Sequence, residues 1–162
     1  MIYRIANKND LFEIIEMKNN VKQRVINEKL DIWNHGYPLD SMIVEDIEEK
    51  AGRVVELDGV IVAYAVFHHR TKEYDVSPFK EENVQCFGRV MVKDGYTGKH
   101  IGDFLVKNMI EEAKTLDVVG MGITADACNT KAVNLYTKHG FVKEGEGQFP
   151  YAYLDIFGLY FK

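Results

Sequence analysis

Residues 128–146 read CNTKAVNLYTKHGFVKEGE. Asn129 is a helix-capping residue, because its side-chain carbonyl can accept a free N–H of a first helical turn. The spacing predicts a helix over 130–139. Gly140 then falls at the position just past the helix, where a left-handed residue ends it. Residues 141–144 predict a strand. A helix that passes straight into a strand through one glycine is the local frame for everything else.

Working outward, the same rules organise the rest of the chain. Residues 118–127 are strand-like. Before them, Ile101, Leu105, Met109, Ala113 and Leu116 trace one face of a long helix. Residues 84–93 predict a strand ending in the apolar triplet Val90, Met91 and Val92. Residues 53–57 and 60–68 flank Asp58-Gly59, a two-residue hairpin signal. Residues 70–83 are polar, contain Pro78 and predict a loop. At the N-terminus, 2–5 predicts a short strand, and Leu11, Ile14, Ile15, Val21 and Val25 recur at helical spacing after a possible Asp10 cap. Gly36 and Pro38 break that helix. Ser41 is the expected cap of a short acidic helix ending near Lys50. Residues 153–161 predict a last strand, with Pro150 in the loop before it. The order β-α-α-β-β-β-α-β-α-β-β implies a mixed sheet with helices on its faces, an α/β (α+β mixed) class.

Composition bounds the function. A chain of 162 residues suggests a single domain over 1–162, and 46% hydrophobic content is ample for a packed core. No apolar run approaches the ~20 residues of a membrane helix, and the N-terminus lacks the apolar stretch of a signal peptide. Cys86 and Cys128 make neither a disulfide framework nor a metal quartet. A reduced cytoplasmic protein without a metal, on no membrane, is the expectation. A net charge of −5 without a basic cluster argues against nucleic acid as a partner.

Residues 95–106, GYTGKHIGDFLV, raise a second question. The two common phosphate-loop patterns, GxxxxGK[ST] and GxGxxG, are absent. A glycine-bearing turn between a strand and a helix can nevertheless hold a phosphate. The first helical turn has N–H groups without intrahelical partners and the positive end of the dipole. Taken alone, the loop reads more readily as a plain turn into a helix, with Gly98 making the turn and Gly102 allowing close packing.

Joined to 128–146, the loop resembles the GNAT N-acetyltransferase superfamily. The family's acetyl-CoA loop reads Q/R-x-x-G-x-G/A after a strand with an apolar end, and here the equivalent is Thr97, Gly98, Lys99, His100, Ile101 and Gly102. The more specific match is to N-x-x-A-x-x-L-Y-x-K-x-G-F, through Asn129, Ala132, Leu135, Tyr136, Lys138, Gly140 and Phe141. Thr97 stands where the family usually has Gln or Arg, and His100 where it usually has Gly. The resemblance implies the GNAT acyl-CoA N-acyltransferase fold, a central mixed twisted sheet of six to seven strands with about four helices. It implies an acetyl-CoA-dependent transferase that passes acetyl to a primary amine of a small molecule or peptide, by direct attack in a ternary complex. The alternative is a non-catalytic acetyl-CoA-binding sensor or partner module on the same fold.

The resemblance also distributes roles. Tyr136 becomes the acid that meets the departing CoA thiolate, although a core aromatic would read the same. Val90, Met91 and Val92 offer main-chain groups to pantetheine, and residues 97–102 hold the pyrophosphate. Asn129 touches the pantetheine arm or only caps its helix. Lys99 and Lys138 reach adenosine phosphates or are solvated. For the acceptor pocket the candidates are Trp33, His35 and Tyr37, completed by Phe149, Tyr151 and Tyr153. No general base stands out among His68, His69, Asp75, Glu81 and Glu82. A homodimer is an open possibility, with the strand-rich C-terminus as an edge for a partner.

Overall fold

The computed structural model describes residues 1–30, 33 and 36–162. The chain divides into two compact units, Met1–Val66 with Arg89–Leu105, and Phe67–Gly88 with Val106–Lys162.

In the first unit, β1 (Ile2–Ile5) pairs antiparallel with β2 (Gly52–Leu57), and β2 with β3 (Val60–His69). The Asp58-Gly59 turn has φ of +51° and +80°, the double left-handed geometry that matches strand twist in a two-residue hairpin. The Lys93 N–H, just past β4 (Val84–Val92), donates to the Val62 carbonyl at 2.8 Å. Helices α1 (Leu11–Asn27) and α2 (Asp40–Glu48) supply Ile14, Met17, Val21 and Ile43 to a core shared with Val54, Ile61, Tyr64 and Met91. The periodic apolar face read from the sequence is therefore the buried face of α1.

Both N-terminal caps differ from expectation. Asp10 makes no side-chain bond to the turn of α1. Its carboxylate instead accepts the Asn7 N–H at 2.8 Å and both terminal nitrogens of Arg4 at 2.8 and 2.9 Å. The Arg4 guanidinium holds that carboxyl below the usual range. Helix α2 begins two residues earlier than a cap at Ser41 predicts, with Leu39 at the cap and no side-chain cap bond.

In the second unit, β4 pairs in parallel with β5 (Gly120–Ala125) through the pairs Val84/Gly120, Gln85/Met121 and Cys86/Gly122. On its other edge β5 pairs antiparallel with β7 (Tyr153–Tyr160) all the way to Ala125. Strand β6 (Val142–Gln148) closes the sheet against β7. With α3 (Ile101–Ala113), which runs through both units, and α4 (Thr130–Lys138), the protein has a seven-stranded mixed sheet in the order β1-β2-β3-β4-β5-β7-β6 and four helices among the described residues. The C-terminal strand is not an edge: β7 is hydrogen-bonded on both sides, so its backbone groups are already used. The strand after Gly140 is also longer than the sequence suggests, because pairing with β7 carries it to Gln148.

The 70–83 loop opens with a 3-10 turn, Arg70–Lys72, and seats Phe79 in the second unit's core with Val84, Cys86 and Ile156. A Cβ at Gly122 would lie 2.4 Å from the Phe79 ring, so glycine there makes room for the loop. Cys86 is a core residue, and burial pushes its thiol pKa well up, which does not suit a nucleophile. Among the described residues no helix is long and apolar enough to cross a membrane.

Candidate functional site

The loop after β4 turns once at Tyr96, whose N–H bonds the Lys93 carbonyl at 3.0 Å. The first helical bond of α3 runs from the Phe104 N–H to the His100 carbonyl at 3.1 Å. Thr97 and Gly98 form a second turn, and the N–H groups of residues 100–102 stand ahead of that first helical bond. Thr97, Gly98, Lys99 and His100 are exposed, Gly102 is half-buried, and Ile101 is buried as an anchor. Gly98 has φ of +76° and nothing within 4 Å of where a Cβ would stand. The loop presents a row of donors at a helix N-terminus, an arrangement suited to a phosphate. Lys99 lies with its Nζ 5.3 Å from the centre of the Tyr96 ring.

His100 has φ of +61°, which explains why a glycine suits this position. A left-handed conformation costs a residue with a Cβ roughly 1–2 kcal/mol. The imidazole points into solvent with 81% exposure, its Nδ1 3.1 Å from an Asp103 carboxylate oxygen, a contact worth ~1 kcal/mol at most. Glycine would also add roughly 0.5–1 kcal/mol of unfolded-chain entropy. Since these opposing amounts are smaller than or comparable to the strain, His100→Gly is expected to leave stability within about 1 kcal/mol, with a change in Tm of no more than ~4 °C. A larger drop in a melting curve would show that the imidazole holds the loop.

In the second unit, Tyr136 is 3% exposed, and its ring meets Phe87 and Phe141 edge-on at 5.4 and 6.3 Å. The core-aromatic reading is thus right about the ring. The hydroxyl is a separate matter. It makes no hydrogen bond, yet the only buried side-chain polar atom without a partner among the described residues is the Tyr160 hydroxyl. Burial raises the Tyr136 pKa well above the ordinary tyrosine value, so it stays a proton donor across the physiological range. Asn129 caps α4, its Oδ1 accepting the Ala132 N–H at 3.3 Å. That leaves its Nδ2 hydrogens as the only part with a further use. Lys138 is exposed in the last turn of α4.

His35 lies outside the described residues. Trp33 is half-buried and packs against the first unit's core, so its ring is at least partly structural. Tyr37 is half-buried beside a group that the sequence did not reveal. Arg89 donates from Nε and Nη2 to the two oxygens of Asp46 at 3.0 and 2.9 Å, and from Nη1 to the Tyr37 hydroxyl at 3.1 Å. The Tyr64 hydroxyl, fully buried, donates to Asp46 at 2.6 Å. Burial and the Asp46 charge push the Tyr64 pKa well up. The four residues stand at 37, 46, 64 and 89, a spread with no local pattern to announce it.

Tyr151 and Tyr153 are exposed, while Phe149 packs edge-on against Tyr74 at 5.8 Å. Tyr74 in turn meets Phe79 at 5.7 Å and places its hydroxyl 3.4 Å from the Thr124 hydroxyl. The base candidates are mostly engaged. His68 Nδ1 lies 3.1 Å from the His69 carbonyl, and His69 Nε2 lies 3.1 Å from the Asn83 side-chain oxygen. Glu82 pairs with Arg70.

A seven-stranded mixed sheet carrying a donor-lined loop at the start of α3 defines an acyltransferase-like architecture. The chain belongs to the acetyltransferase (GNAT) family, whose model matches residues 20–141. Among solved structures, it is similar to a GNAT-family acetyltransferase from Streptococcus agalactiae, with a TM-score of 0.84 at 16% identity over 99% of this chain and 95% of that one. It is also similar to the ribosomal-protein-alanine N-acetyltransferase of Brucella melitensis, with a TM-score of 0.72 at 23% identity over 98% and 97% of the two chains. A third, the Salmonella typhimurium protein yncA with its cofactor acetyl-CoA, has a TM-score of 0.69 at 22% identity over 97% and 90%. At these identities the likeness is one of fold. A comparison with curated proteins found none that matches this sequence.

Proposed function

We propose that residues 1–162 form an acetyl-CoA-dependent N-acetyltransferase domain that passes acetyl to a primary amine of a small molecule or peptide, by direct attack in a ternary complex. The observation that carries this reading is the exposed glycine-bearing loop whose backbone N–H groups stand ahead of the first helical bond of α3. It fits the pyrophosphate of CoA without needing a cationic side chain, so Thr97 and His100 in place of the family's usual residues leave the donors intact.

Acetyl-CoA supplies the activated thioester carbonyl. The chain's own residues do the rest. Val90 and Val92 offer main-chain groups to the amides of the pantetheine arm, as an added strand would. A backbone N–H near Val92 meets the charge that develops on the carbonyl oxygen. Tyr136 donates its proton to the departing sulfur. Asn129 offers Nδ2 to the arm, and Lys99 and Lys138 approach the adenosine phosphates. Met91 stays in the core and anchors its strand. Trp33, His35 and Tyr37 line the acceptor side, with Phe149, Tyr151 and Tyr153. The amine attacks as the free base. The protein acts in the cytoplasm, without metal, and a homodimer is compatible with this chemistry.

Acetyl-CoA at about a hundredfold excess over its Kd should add roughly 2.7 kcal/mol of stability. For a chain of this size that raises Tm by about 5–11 °C. Absence of any shift at millimolar acetyl-CoA would sink the proposal. Release of free thiol with an amine present separates the enzyme from a non-catalytic acetyl-CoA-binding module on the same fold.

A further inference from the structure

Arg89 does not sit in β4 as a strand residue ordinarily does. Its φ is +49°, a left-handed conformation that a residue with a Cβ avoids. Such strain persists only where the surroundings over-determine it. Here the surroundings are side chains. The guanidinium forks onto both oxygens of Asp46 in α2 and reaches the Tyr37 hydroxyl with a third donor. Asp46 is held from the other side by Tyr64. The Arg89 and Asp46 side chains are only 13% and 6% exposed. A buried ion pair roughly breaks even against well-packed apolar side chains, because desolvation offsets the attraction. Its benefit must therefore be sought in geometry, and the geometry it sets is that of the residue directly before Val90, Met91 and Val92.

We propose that Arg89, clamped by Asp46 and Tyr37, is a positioning residue for acetyl transfer. It holds the left-handed kink in β4 from which the main-chain groups of Val90 and Val92 take their direction, and it ties Tyr37 to the same point. This rests on the reading of Val90–Val92 as the strand that receives the cofactor. Lysine cannot replace it, because an ammonium lacks the planar fork that fixes the backbone through two parallel bonds.

The test separates the kink from the charge. Arg89→Gly and Arg89→Ala are each combined with Asp46→Asn, so that neither variant leaves a buried charge unpaired. Both lack the clamp, but only glycine adopts the kink freely. When the binding-competent conformation is a minor population, affinity falls by that fraction. Calorimetry with acetyl-CoA should therefore find the alanine variant weaker than the glycine variant by roughly five- to thirtyfold, the equivalent of about 1–2 kcal/mol at 1.36 kcal/mol per tenfold. Equal dissociation constants would overturn the clamp. Arg89→Lys provides a second reading in a chain that keeps both charges. It should weaken acetyl-CoA binding at least about fivefold, and an unchanged Kd would again refute the proposal. If the unmodified chain itself fails to bind acetyl-CoA, the cofactor-strand reading falls, and the clamp's role with it.

Discussion

Tyr136→Phe is expected to lower kcat by about a hundredfold or more while leaving acetyl-CoA affinity within about threefold. General acid catalysis by a positioned side chain contributes roughly 10²–10⁴-fold, and phenylalanine removes the proton without removing the ring. The ring contacts with Phe87 and Phe141 remain, so the fold is kept. The hydroxyl has no hydrogen bond to lose, so the melting temperature should not fall. The raised pKa of Tyr136 gives this prediction its pH signature. A group whose pKa is raised stays protonated as pH climbs through the ordinary tyrosine value near 10. The unmodified enzyme should therefore show no loss of kcat from this group up to that pH. Steady-state rates of the two proteins across pH decide the matter; equal kcat throughout would remove Tyr136 from the reaction and leave it a core aromatic.

Asp46→Ala is expected to cost about 3–5 kcal/mol of stability, the range for breaking a buried pair by removing one partner. Two groups lose their acceptor at once: the Arg89 fork and the fully buried Tyr64 hydroxyl. At about 2–4 °C per kcal/mol for a chain of this length, Tm should drop by about 6–20 °C. Asp46→Asn should cost less, because its amide oxygen still accepts from Tyr64. Thermal melts of the two variants beside the parent test both statements. A drop of under ~3 °C for Asp46→Ala would mean that water replaces the lost partners and that the pair is not effectively buried.

The recognisable parts of the site are those whose chemistry is local. A glycine-bearing turn entering a helix exposes N–H groups whatever surrounds it, and Asn129 caps α4 because a cap needs only its own first turn. The hairpin at Asp58-Gly59 is local in the same way. The positions that surprised are those set by distant partners. Asp10 was read as a cap, but Arg4 and the Asn7 N–H compete for its carboxylate and win. Arg89 falls inside the strand that the sequence predicts over 84–93, and neither its left-handed backbone nor its partners leave any trace in neighbouring letters. Tyr74 and Phe79 sit in a loop that sequence alone marks only as polar, and the burial of Phe79 depends on the space that Gly122 leaves across the unit.

By itself, then, the sequence determined the element order, the apolar faces, the donor loop before α3 and the helix bearing Tyr136, because periodicity, capping and turn chemistry act over a few residues. Only the tertiary structure decided that the strand after Gly140 runs on to Gln148, that the C-terminal strand lies between two neighbours, and that His100 occupies a left-handed position. It alone joined Tyr37, Asp46, Tyr64 and Arg89. The physical reason is common to all of these: strand pairing and buried charge compensation are settled by whichever groups folding brings within hydrogen-bond reach, and that proximity is not encoded at any fixed spacing along the chain.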